Sequence, residues 1–168
     1  ATDGGHILLS SYEHNSVIRP VHALSKDQAR NISYTVFDAG GSEREIVYDF
    51  VSKIRPNTRM AVVTLASNVC GKILPIASLA DICRKRNICD ASQAAGCVPI
   101  NVKALGVDVL CFAGHKSLYG PQGSGGALFC SDKDPEPVIE GGNGINSADK
   151  NMGGSLPERL EAGTLGTP

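Results

Sequence analysis

The chain has 168 residues, of which 42% are hydrophobic and 20% charged, ordinary values for one soluble domain or part of a larger one. Its formal net charge of -1 gives no reason to expect nucleic acid or an acidic membrane as a partner. No run reaches the roughly 18 apolar residues of a membrane span and no signal peptide opens the sequence, so a cytoplasmic protein is expected.

Short apolar runs alternate with amphipathic ones along the chain. HILLS (6–10) reads as a strand, and NSVIRPVHALSKDQAR (15–30) as mainly helical despite Pro20. ISYTVFD (32–38) alternates and is rich in β-branched and aromatic residues, which predicts a strand. Ser42 then opens SEREIVYDFVSKI, with Glu45 three residues later as a capping box. The apolar residues Ile46, Val47, Phe50, Val51 and Ile54 that follow keep helical spacing. MAVVTLA (60–66) reads as a buried strand, and PIASLADICRKRN (75–87) as a helix with Pro75 at its start. VDVLCFA (107–113) and GALFC (126–130) are two further strands, and the Gly-, Ser- and Asn-rich tail from Gly141 reads as surface loop.

The alternation predicts an α/β domain with a mostly parallel sheet covered by helices, whose ligand sites lie beyond the carboxyl ends of its strands. One place breaks the pattern. With a helix over 75–87, only Ile88 and Cys89 precede Asp90, too few for a central strand of about five residues. Either the strand is truncated there or the sequence has lost residues, and a missing strand segment would pull Asp90 out of register.

Four candidate sites follow strands. Lys116, after VLCFAG and beside Gly120, Gly123, Gly125 and Gly126, reads either as an ordinary exposed lysine or as an amine nucleophile of lowered pKa. GPQGSGGA lacks the G-K-[ST] ending of a phosphate loop. Asp90 is either a helix N-cap or a carboxylate facing a ligand and keeping a ring nitrogen protonated, and Gln93 suits a capping box or a polar ligand contact. His14 could be a helix-start histidine and Asn68 a turn cap, yet all four positions would converge on one crevice of the sheet. The six cysteines, at 70, 83, 89, 97, 111 and 130, have no metal-ligand spacing and read as buried, reduced thiols; no metal is expected.

Taken in order, EHNSV, RPNTRMAVVTLASNVCGKILPI, DASQAAG, AGHKSLYGPQGSGGALF and ERLEAGTLGTP resemble the class V family of pyridoxal-phosphate (PLP) enzymes, in particular its cysteine desulfurase-like branch. The resemblance implies an aspartate-aminotransferase-like large domain (PLP fold type I). Residues 1–140 would be its cofactor-binding core, and 141–168 a loop-rich segment leading toward a small domain absent here. It implies that Lys116 forms the Schiff base with PLP and shuttles protons at the substrate's α-carbon. Asp90 would pair with the pyridinium nitrogen, His14 would stack on the ring, and Gln93 and Asn68 would lie near its phenolic oxygen. His115 would donate to the phosphate, and Thr164 would reach the phosphate of a neighbouring subunit, hence a homodimer.

The implied activity is C–S bond cleavage of a small-molecule amino acid, cysteine, giving alanine and enzyme-bound sulfur, with a sulfur-acceptor protein as a further partner. Selenocysteine lyase, aminotransferase and epimerase activities share the same motifs. A non-catalytic fragment or interaction module that retains the site residues is the alternative of a different class. Several departures stand out. Family members are more than twice as long, and neither their phosphate-cradling loop nor their sulfur-accepting cysteine is matched here. Ala113 replaces a hydroxyl residue, and Leu65 stands where histidine is common.

Overall fold

The computed structural model describes residues 4–83, 87–130, 135–145, 148–150, 152 and 154–163, with backbone alone at 87–89. Six strands form one sheet: Gly5–Ser10 (β1), Ile32–Phe37 (β2), Thr58–Thr64 (β3), Asn87–Asp90 (β4), Val109–Ala113 (β5) and Gly125–Phe129 (β6). Their spatial order is β2-β1-β3-β4-β5-β6. The first five strands are parallel, and β6 closes the edge antiparallel to β5.

Helices Asn15–Lys26 (α1), Glu43–Ser52 (α2), Ile76–Cys83 (α3) and Val102–Leu105 (α4) lie between the strands, with a 3-10 turn at Gln28–Arg30. Side chains alternate between the faces of a strand, so each buried strand feeds two cores. Ile7 and Leu9 of β1 and Val62 of β3 pack with Val21 of α1, and Val17 and Leu24 of the same helix lie against them. Leu8, Ala61 and Val63 point the other way, to Ile46 and Phe50 of α2 and Leu79 of α3. Phe37 meets Phe50 edge to face, with centroids 5.1 Å apart. The expected capping box is present: the Ser42 hydroxyl accepts from the Glu45 N–H while Glu45 Oε2 accepts from the Ser42 N–H.

The sheet corrects one expectation. Asn87 belongs to a strand and not to the preceding helix, and β4 runs in parallel register with all four residues on β3 and three of them on β5. Asp90 pairs with Thr64 on β3 and with Cys111 on β5, so it is not displaced. Neighbouring ladders on both flanks supply the hydrogen bonds that so short a segment could not secure alone. The cysteines require a second correction. Of the described thiols, Cys70, Cys97 and Cys130 are exposed and Cys83 and Cys111 half-buried, because most of them lie on turns or just beyond the edge strand.

The chain divides into two units, Ala1–Ser131, which holds the sheet, and Asp132–Pro168. In the second, the regular element among the described residues is a 3-10 turn at Glu158–Leu160. It is tied by an Arg159–Glu136 ion pair at 3.3 Å and by the Gly163 N–H donating to the Gly142 carbonyl.

Candidate functional site

The carboxyl ends of β1, β3, β4 and β5 border one cavity of about 290 Å³, lined by His14, Asn68, Asp90, Gln93, His115 and Lys116 among others. Six of the seven residues singled out in the sequence therefore meet at one place. The seventh, Thr164, lies outside the described residues.

Local structure explains how each is presented. His14 is the N-cap of α1, and its Nδ1 accepts from the Ser16 N–H at 3.2 Å. With Nδ1 occupied as acceptor, the proton of the neutral ring sits on Nε2. The residue that caps the helix thus also lines the cavity. At the turn after β3, Ser67 and not Asn68 is the capping residue: its hydroxyl accepts from the N–H groups of Val69 and Cys70. That leaves the Asn68 side chain on the cavity wall.

Asp90 is 8% exposed, and its Oδ1 accepts from the Ser92 N–H at 2.9 Å. This bond turns the chain immediately after β4, so residues 91–97 form consecutive turns and not a capped helix. Gln93 makes no capping box; it faces the cavity. Cys111, opposite Asp90 on β5, has its thiol pushed up, first by burial and then by the charge of Asp90.

Lys116 and His115 stand on the turn between β5 and β6. Ser124 closes that turn, its carbonyl accepting from the Gly114 N–H at 2.8 Å. His115 Nδ1 lies 3.0 Å from the same carbonyl, which can only accept, so Nδ1 carries a proton. Donation from Nε2 to an anion then requires the ring to be doubly protonated. The Lys116 turn also docks against the turn after β4. Gly96, at φ +86°, approaches so closely that a Cβ there would lie 2.3 Å from the Ser117 carbonyl oxygen.

Four residues with a part in this architecture carried no signal in the sequence reading. Thr64, Ser16 and Ser92 line the cavity. Glu13, next to His14, is 7% exposed, and its Oε1 accepts from Ser10 Oγ at 2.5 Å and from the Thr64 N–H at 2.6 Å. A glutamate in the polar stretch YEHN reads as solvated; the only available hint was its position directly before His14.

The family model for aminotransferase class-V matches residues 1–168. Cysteine desulfurase IscS of Plasmodium falciparum (isolate 3D7) is 34% identical over 168 residues, covering 94% of this chain and 28% of that protein. The structure of a cysteine desulfurase from Thermococcus onnurineus NA1 superposes with a TM-score of 0.79 at 30% identity, over 98% of this chain and 42% of that one. A C-DES variant with glycine covalently linked to its PLP cofactor superposes at 0.78 with 25% identity, over 98% of this chain and 46% of that one. The chain thus spans less than half the length of each of these relatives.

Proposed function

Since the chain belongs to the class-V aminotransferase family, we propose that its cavity binds pyridoxal phosphate and serves cysteine desulfurase-type cleavage of an amino-acid C–S bond. The observation that carries this reading is the convergence of an amine, a nearly buried carboxylate and an imidazole, Lys116, Asp90 and His14, on one cavity at the strand ends. That donor set fits the cofactor: an amine for its aldehyde, an acid for its ring nitrogen and a flat ring for its face. The fit is poorer at the phosphate end, where Ala113 offers only a methyl group to the cavity.

Lys116 would hold the cofactor through Nζ and, once displaced by substrate, move a proton at the substrate's α-carbon. Bound here, PLP supplies an electron sink for charge developing at that carbon. The Asp90 carboxylate would keep the ring nitrogen protonated, and burial strengthens that charge-assisted hydrogen bond. The Nε2–H of His14 points its proton away from its own helix cap, which frees it to serve the site. Gln93 and Asn68 would orient the ring through its phenolic oxygen, and His115 would meet the phosphate with its ring doubly protonated. Thr164 would reach across a homodimer interface, and the working protein would be cytoplasmic, passing sulfur to an acceptor protein.

A second reading is favoured by Ala113, which brings only a methyl group to the cavity where the family carries a hydroxyl for the phosphate. Here the chain keeps the site residues without turning substrate over. One experiment tests both readings: titrate the purified protein with PLP by visible absorbance, reduce with borohydride and map peptides by mass. The first reading expects a cofactor mass on Lys116 and release of alanine from cysteine, with Lys116→Ala abolishing both. Cofactor fixed on Lys116 without alanine supports the second; a folded chain with no adduct at all rejects the cofactor site.

A further inference from the structure

Among the described residues, Glu13 is the one buried carboxyl in the site's neighbourhood for which the proposed chemistry has no use. It lies in the turn between β1 and α1, immediately before the His14 cap. The described pairing of β1 with β3 ends at Leu9 and Val62, so the Thr64 N–H lies beyond the ladder. Glu13 Oε1 supplies the acceptor that β1 no longer provides, and takes the Ser10 hydroxyl as a second donor. Oε2 is buried with no hydrogen-bond partner among the described residues. Thr64 in turn is paired with Asp90 across the β3–β4 ladder. One carboxyl therefore connects the turn carrying His14 to the strand beside Asp90.

A charged carboxylate is poorly served in such a place. Burial pushes Glu13 up to about 7, with the charge of Asp90 adding to the rise, while the bonds from Ser10 and Thr64 oppose it. With Oε1 already accepting two bonds, the proton of the neutral acid belongs on Oε2. Asp90 on β4 is the charged group facing Glu13; Ser10 on β1 and Thr64 on β3 face it as neutral donors. Cys111 on β5 faces Asp90 rather than Glu13.

We propose that Glu13 is a positioning residue that holds the His14 turn and the Asp90 strand in register as an uncharged acid, leaving Asp90 as the working carboxylate of the site. The role rests on the reading of the cavity as a PLP site. Ionisation of Glu13 would set a second negative charge beside Asp90 and repel an anionic ligand.

The test uses the wild-type chain, Glu13→Gln, which keeps the shape and neutrality of the acid form, and Glu13→Ala, which removes the bridge. PLP dissociation constants are measured by absorbance from pH 6 to 8.5, and melting temperatures of the cofactor-free forms over the same range. Wild type and Glu13→Gln are expected to bind alike at pH 6, with wild type weakening severalfold relative to Glu13→Gln by pH 8.5. Glu13→Ala is expected to bind at least tenfold more weakly throughout. A constant wild-type to Glu13→Gln ratio at every pH, or wild-type affinity in Glu13→Ala, overturns the proposal. If wild type itself takes up no PLP, the site reading fails. The melting curves then decide the neutral clamp alone: a difference between wild type and Glu13→Gln that grows with pH upholds it, and a flat one removes it.

Discussion

Gly96→Ala isolates the contact on which the Lys116 turn rests. Two penalties act at this position. The first is backbone strain: φ is +86°, a region that costs an L-residue about 1–2 kcal/mol. The second is collision, since the new Cβ would stand 2.3 Å from the Ser117 oxygen and 2.5 Å from its carbonyl carbon. Both are main-chain atoms, so no rotamer change relieves the clash. The turn must retreat by roughly 1 Å, a misplacement that can lower a catalytic rate by about a hundredfold. Gly123→Ala is the control, because Gly123 has φ +84° but nothing within 4 Å of its Cβ position. Urea unfolding should show a loss of about 1 kcal/mol for Gly123→Ala and about 3 kcal/mol or more for Gly96→Ala. PLP uptake should fall only in the latter. Equal unfolding midpoints and equal uptake in the two variants would refute the docking of one turn on the other.

Other consequences can be measured on the same protein. Ser42→Ala removes the reciprocal cap of α2 and should lower unfolding free energy by about 1 kcal/mol, read from urea midpoints. Two buried groups give opposing pH dependences. The neutral Glu13 contributes stability fully present below pH 4.5 and lost as pH rises to about 7, at most about 3 kcal/mol across that interval. His6, wholly buried between the hydroxyls of Thr58 and Thr35, is held below its ordinary 6.5 by burial and then by Arg55. Its contribution is present above pH 6.5 and lost as pH falls through its lowered value. Glu13→Gln should therefore leave a stability that rises with pH, and His6→Gln one that falls; urea midpoints between pH 4 and 8 check both signs.

Much of this architecture was legible because it is written in local pattern. The Ser42–Glu45 pair fixes the start of α2, and the apolar run Ile7, Leu8 and Leu9 declares a strand. Lys116, Asp90 and His14 were found because each follows an apolar run, and parallel strands bring such positions to one edge. β4 was misjudged because its four residues acquire strand character from Val62 and Val109 on either flank, a tertiary effect that a window of sequence cannot carry. Glu13 was missed for a related reason: its burial comes from a turn folding back over the sheet end. Gly96 reads as one glycine among 19, and only the approach of Ser117 gives it meaning.

The brevity of β4 has a mechanical consequence. Among the described strands it is the only rung joining β2-β1-β3 to β5-β6, so the sheet is two plates meeting along a narrow seam. His14 and Asn68 stand on one plate, His115 and Lys116 on the other, and Asp90 on the seam itself. A molecule gripped by both plates acts as a tie bar across that line. Its departure would release the seam as well as the site, so occupancy should be felt as slower amide exchange along β4, in atoms the ligand never touches.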